Sequence, residues 1–218
     1  MKISVLCTHK THPVYPHLQE WCKRKSLTHE VELVNRKTGL SHGDLLFLIS
    51  CHEIVGQDVR SQYRKVLVIH ASDLPQGRGW SPHIWQILSG AEKIVVSLLE
   101  AEDSVDSGAI WTKRSFELEG HELWDEINEK LFDIELELMD YAVDKYHDIV
   151  PEKQLDEGAT FFRKRTPEDS QMDPFKPISE QFDLLRICDP ERFPAFFDLR
   201  GCRYKINIEK VENEVDSR

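Results

Sequence analysis

Four short apolar runs, at residues 3–7, 45–49, 66–69 and 94–99, each end in a polar break. Nothing else constrains the fold of this chain as strongly. Continuous runs rich in β-branched residues read as strands buried on both faces. The third run is the pivot. Val66-Leu67-Val68-Ile69 stops at His70, and a polar loop with Gly77 and Gly79 follows. Ser81 then reads as an N-cap and Pro82 as the first helical residue, so a helix runs on to Leu88 and closes at Gly90. Strand, histidine, long loop and helix is how an α/β protein presents a reactive group at the carboxyl edge of its sheet.

The remaining pattern supports the same class. Residues 14–25 read as a helix, 30–34 alternate as a strand, and 109–116 resume as an extended segment. Leu123, Ile127, Leu131, Ile134, Leu138 and Ala142 recur at helical spacing, giving one long amphipathic helix to about Tyr146. That stripe reads as core packing without chemistry. Alternating strands and helices imply an α/β fold with a mostly parallel sheet and helices on both faces. Three polar segments, at 50–55, 70–82 and 103–108, then converge along one edge. Residues 1–150 make one domain on this reading. Beyond Pro151, Phe161-Phe162-Arg163-Lys164-Arg165 is a strand-like basic patch, 178–188 a helix, and 193–206 a β-hairpin turning at Gly201. Residues 151–210 are thus expected to form a docked extension, and 211–218 a frayed tail.

Charge and cysteine usage narrow the partners. Against 39 acidic residues stand 28 basic ones, a net charge of −11 that opposes binding to nucleic acid. No run reaches the roughly 18–20 apolar residues of a membrane span, and the chain starts directly into strand-like residues, without a signal peptide. Five scattered cysteines without a CxxC pair suit a reducing, cytoplasmic setting and no metal site. His9 and His12 lack a third ligand at matching spacing and read as solvated loop residues.

The ordered set His70-Ala71-Ser72-Asp73-Leu74-Pro75, Arg78-Gly79 and Asp106-Ser107-Gly108 resembles the signature of formyltransferases that use N10-formyltetrahydrofolate. Asp106 lies 36 positions after His70, the length of one helix plus one strand. Downstream, Arg163-Lys164-Arg165-Thr166-Pro167-Glu168-Asp169 and Arg192-Phe193-Pro194-Ala195-Phe196-Phe197 resemble the extension of the sugar-nucleotide N-formyltransferase branch, of the pseudaminic acid type. The resemblance implies a Rossmann-like formyltransferase fold and transfer of a formyl group to a nucleotide-linked amino sugar. His70 and Asp106 would be catalytic. The pterin ring of the co-substrate would be gripped by Ser50, Cys51, Ile54, Val55, Asp103 and Val105. Arg78 would either pair with the folate glutamate or cap a helix. Ser72, Trp80, Arg163, Arg165 and one of Phe196 and Phe197 would face the sugar nucleotide. One departure stands out: the family places an asparagine two residues before the histidine, and here that residue is Val68. Either His70 acts alone on the oxyanion, or His52 or Ser72 assists; the reading favours His52. A homodimer stays open, and so does a second class of function, a folate- or nucleotide-sugar-binding module without turnover.

Overall fold

A computed structural model describes residues 1–211. β1 (Lys2–Leu6) leads through α1 (Val14–Lys25) to β2 (Glu30–Val34) and β3 (Gly43–Leu48). The single turn α2 (Gln57–Arg60) precedes β4 (Tyr63–His70), and a two-residue β5 (Arg78–Gly79) lies inside the long loop. After α3 (Pro82–Leu88) come β6 (Lys93–Glu100), β7 (Ile110–Glu117) and the long α4 (Trp124–Asp144). The remainder carries β8 (Phe161–Phe162), α5 (Phe182–Arg186), β9 (Ala195–Leu199) and β10 (Cys202–Ile206). Helix α3 starts where Ser81 and Pro82 said it would, although Ser81 makes no side-chain capping bond and adopts a left-handed backbone. The expected tail, beyond Val211, lies outside the described residues.

Six strands form one sheet in the order β2-β1-β3-β4-β6-β7. The first four run parallel, whereas β6 is antiparallel to β4 and β7 to β6. This reversal changes how the three polar segments meet. Glu100, at the end of β6, pairs beside Leu67 and not beside His70. The loop from 101 to 109 therefore folds back across β4 to reach the histidine, so convergence is achieved by a returning loop and not by three parallel strand ends.

The two sheet faces are covered unequally. One buries Ile3, Val5, Leu45, Phe47 and Leu67 against Leu18 and Trp21 of α1 and Ile127, Leu131 and Leu138 of α4. At full burial each aliphatic side chain is worth about 1.5–3 kcal/mol, and this face dominates stability. The two helices are also tied directly, since Trp21 Nε1 and Arg24 donate to Asp140 at 2.7 and 3.0 Å. Lys23, Arg24 and Lys25 sit at the carboxyl end of α1, and Asp125 and Glu126 at the amino end of α4, as the helix dipole favours. The opposite face, with Leu6, Leu46 and Val66, carries only α2 and loops, including Val55.

The segment after Pro151 is stitched to the sheet by backbone. Ile110 and Glu152 exchange hydrogen bonds of 2.7 and 2.8 Å, and β8 pairs in parallel with β5. Gly79 has φ 99, and a Cβ there would lie 2.3 Å from the Phe162 carbonyl oxygen, so the close approach of these two strands requires glycine. A small second core joins Met172, Leu185, Cys188 and Ala195 beneath the β9–β10 hairpin. No helix among the described residues is long and apolar enough to cross a membrane.

Candidate active site

A cavity of about 540 Å³ opens at the His70 end of β4, walled by the three polar segments, the first half of α4 and residues 164–193. Its backbone is strained where chemistry is expected. Among the described residues four non-glycines have positive φ, and three of them, Ser50 (46°), Ser81 (47°) and Asp106 (54°), line this cavity. Such conformations cost on the order of 1–3 kcal/mol each and persist only where the surroundings enforce them. The fourth, Arg200, simply turns the hairpin.

His70 is 7 % exposed and held from both sides. Its Nε2 donates to the Gly77 carbonyl at 2.8 Å, and its Nδ1 stands 3.6 Å from Asp106 Oδ2. Asp106 is fixed in turn by the Gly79 N–H, which donates to the same oxygen at 2.9 Å. The first bond settles the tautomer: with the proton on Nε2, Nδ1 is the working nitrogen. Behind the turn, Gln154 donates to the Asp106 and Gly108 carbonyls at 3.0 and 2.7 Å. Gly108 is needed there, because a Cβ would fall 1.8 Å from the Glu100 carbonyl oxygen.

Several expected ligand residues do stand in the wall: Ser50, Cys51, His52, Ile54 and Val55 from one loop, and Asp103 and Val105 from the returning loop. Burial pushes the Cys51 thiol up to about 11, which leaves it un-ionised and non-nucleophilic. Trp80 and Arg165 also line the cavity. His52 packs against His9 and Trp80, with ring centroids 4.5 and 5.3 Å apart. Burial, then His9, Lys164 and Arg192, lower its pKa and favour the neutral ring.

Five residues expected at the ligands lie outside the lining of this cavity. Arg78 is 5 % exposed, and its guanidinium is spent on Gln154 and Asp156 at 3.0 and 3.1 Å; it braces the Asp106 turn from outside the cavity. Ser72 is buried behind the sheet end, where its carbonyl accepts from Ser97. Arg163 points outward to Asp169 and lies over Trp85. Phe196 is buried under Arg203, and Phe197 stacks on Tyr204, so both serve the hairpin core. Arg78, Arg163, Phe196 and Phe197 each found a side-chain partner in their own layer, whereas the Ser72 Oγ is buried without a hydrogen-bond partner among the described residues.

The cavity also holds residues that sequence reasoning passed over. His12, read as a solvated loop residue, lines it; its Nδ1 accepts from the Val14 N–H and its Nε2 meets Ser50 Oγ at 3.2 Å. Burial and neighbouring Arg192 push it down to about 3. Glu135 interrupts the apolar stripe of α4 between Leu131 and Leu138, and that interruption was the available signal. It is 9 % exposed, Oε2 has no partner among the described residues, and burial raises its pKa to about 8. His83 and Asn128 complete the set.

One end of the cavity is cationic. Lys164 lies over Trp80, and Arg165 and Arg192 over Phe193, with charge-to-ring distances of 4.7, 5.3 and 5.7 Å. None of the three is ion-paired with a carboxylate among the described residues. Asp189 stands nearby, but its Oδ1 is taken by the Glu191 and Arg192 N–H groups. Among the described residues no cluster of three His, Cys, Asp or Glu side chains is placed to hold a metal.

Fold and site together define an α/β protein with a carboxylate–imidazole pair in a cavity at the end of a central strand. Residues 4–143 match the model of the formyl transferase family, and the chain belongs to that family. The methionyl-tRNA formyltransferase of Rickettsia massiliae is 29 % identical over 143 residues, covering 65 % of this chain and 46 % of that protein. The chain thus spans about half the length of the curated relatives it matches. Two solved structures share the fold. A methionyl-tRNA formyltransferase from Clostridium thermocellum superposes with a TM-score of 0.83 at 23 % identity, covering 98 % of this chain and 95 % of that one. A sugar N-formyltransferase from Shewanella sp. FDAARGOS_354 gives 0.72 at 15 % identity, covering 97 % and 99 %.

Proposed function

We propose that this chain transfers the formyl group of N10-formyltetrahydrofolate to the primary amine of a nucleotide-linked amino sugar. One observation carries the reading: the His70–Asp106 pair shares its cavity with three cations that no carboxylate pairs with among the described residues. The pair supports the reaction, and the cations support the acceptor class. The folate enters between the 50–55 and 101–106 loops, where exposed Ile54 and Val105 offer apolar surface to a pterin ring.

In the reaction the amine nitrogen attacks the formyl carbon, and the bond from that carbon to N10 breaks. The amine loses one proton and N10 gains one. His70 Nδ1 accepts the first, Asp106 stabilises the resulting imidazolium, and the ring returns the proton to the leaving nitrogen. The chain Gly77–His70–Asp106–Gly79 orders this proton path. A binding module without turnover would have no use for it.

The acceptor's phosphates would meet Lys164, Arg165 and Arg192 through charge-assisted hydrogen bonds. Mass spectrometry of mixtures with N10-formyltetrahydrofolate tests this. A UDP-linked 4-amino-4,6-dideoxy sugar should be formylated, and the free sugar roughly a hundredfold more slowly, the worth of one or two hydrogen bonds to charged groups. Arg165→Met should raise KM for the nucleotide sugar about tenfold and leave KM for the folate unchanged. Equal turnover of the free sugar, or formylation of methionyl-tRNA in its place, would reassign the acceptor.

A further inference from the structure

Formyl transfer passes through a tetrahedral intermediate whose oxygen carries negative charge, and a donor must be aimed at that oxygen. Val68 stands in the cavity wall but offers only methyl groups. His70 cannot supply the donor as well as move the amine proton. Its Nε2 is committed to Gly77, which leaves a single nitrogen for both tasks.

The other imidazoles of the wall differ in what they already do. His12 has both ring nitrogens engaged, with the Val14 N–H and with Ser50. His52 sits between His9 and Trp80 and faces Lys164 and Arg192 at the cationic end. His83 has neither commitment. It follows Pro82 in the first turn of α3, lines the cavity, and makes no hydrogen bond through either ring nitrogen among the described residues. Its Nδ1 is buried and orphaned, and the charged groups that face it are His70 and Arg165.

We propose that His83 donates a hydrogen bond to the formyl oxygen in the transition state, the task that Val68 leaves unfilled. An orphaned polar group beside a reacting pair costs free energy in the resting protein and gains a partner only when the oxyanion forms. Burial, then His70 and Arg165, hold its pKa down at about 4, so the ring is neutral near pH 7 and carries one N–H. A neutral imidazole is well suited to an oxyanion, because it donates without competing for the proton that His70 moves.

The proposal rests on formyl transfer as the reaction but not on the identity of the acceptor. Steady-state kinetics of the full chain test it, using N10-formyltetrahydrofolate and the amine that the wild type formylates. His83→Phe keeps a ring and removes the donor. It should lower kcat about 10²–10³-fold, the loss typical of one oxyanion donor, with both KM values within about threefold of wild type. His83→Gln restores an N–H and should recover at least about tenfold of that loss. Calorimetric binding of tetrahydrofolate to each variant checks that the cavity has kept its shape. The proposal is overturned by a near-wild-type kcat in His83→Phe, by a loss confined to KM, or by no recovery in His83→Gln. A wild type that formylates no amine at all would instead overturn the reading of the reaction.

Discussion

The sheet face under α1 and α4 and the rim of the cavity are built on opposite rules. On the face, Leu18, Trp21, Phe47 and Leu138 are at most 1 % exposed, and each is apolar where the helical or strand period demands it. On the rim, Ser50, Ser81 and Asp106 hold strained backbone, while His83 Nδ1 and Glu135 Oε2 have no partner. The face is what folding optimises. The rim keeps unsatisfied groups that only a ligand would complete, and the face supplies the stability that tolerates them.

The largest test of that contrast is on the rim. His70→Ala and Asp106→Asn should each lower formyl transfer by about 10³-fold or more, because each removes a member of the proton path. Their stability should change by no more than about 2 kcal/mol, since only a few hydrogen bonds are lost. Turnover within about tenfold of wild type would break the assignment. Chemical denaturation and single-turnover rates report the two quantities separately.

The converse follows on the face. Leu18 is fully buried between α1 and the sheet, so Leu18→Ala should cost about 2–5 kcal/mol by removing contacts and leaving a void. Below its unfolding transition the variant should keep the wild-type KM for both substrates. A large change in KM with little loss of stability would mean that face and rim are not separable.

The smallest effect sharpens the boundary at Glu135, which belongs to both regions. Its folded pKa, about 8, lies above the ordinary carboxylate value, so between roughly pH 4.5 and 8 the native state binds the extra proton. Stability contributed by this group therefore falls as pH rises through that window, with a slope of at most about 1.4 kcal/mol per unit. Glu135→Gln should flatten the slope and be more stable relative to wild type at pH 8 than at pH 5. Parallel pH profiles for the two proteins, from urea denaturation, would show that the carboxyl is already ionised or solvated.

Much of this molecule was legible in order along the chain. Period-2 and period-3.6 patterns, with Pro82, Gly90 and Gly201 as punctuation, placed the strands, α1, α3, α4 and the terminal hairpin close to where they lie. The resemblance, carried by a strand-end histidine and a D-S-G turn, paired His70 with Asp106, and the structure brings their side chains to 3.6 Å. Local chemistry is written locally.

What only the tertiary structure decided are matters of direction and company. Periodicity says that a strand is buried but not which way it runs, so the reversal of β6 and the returning loop were invisible. It says that Arg163, Arg165, Phe196 and Phe197 are near one another but not which face each takes. Pairing of Arg163 with Asp169 and stacking of Phe197 on Tyr204 removed them from the cavity and left Arg165 in it. Glu135 and His83 gained their character solely from burial among distant segments, and burial is a property of the assembled chain. That Val68 stands where an asparagine is expected came from the resemblance; which side chains share the cavity with it was set by packing alone.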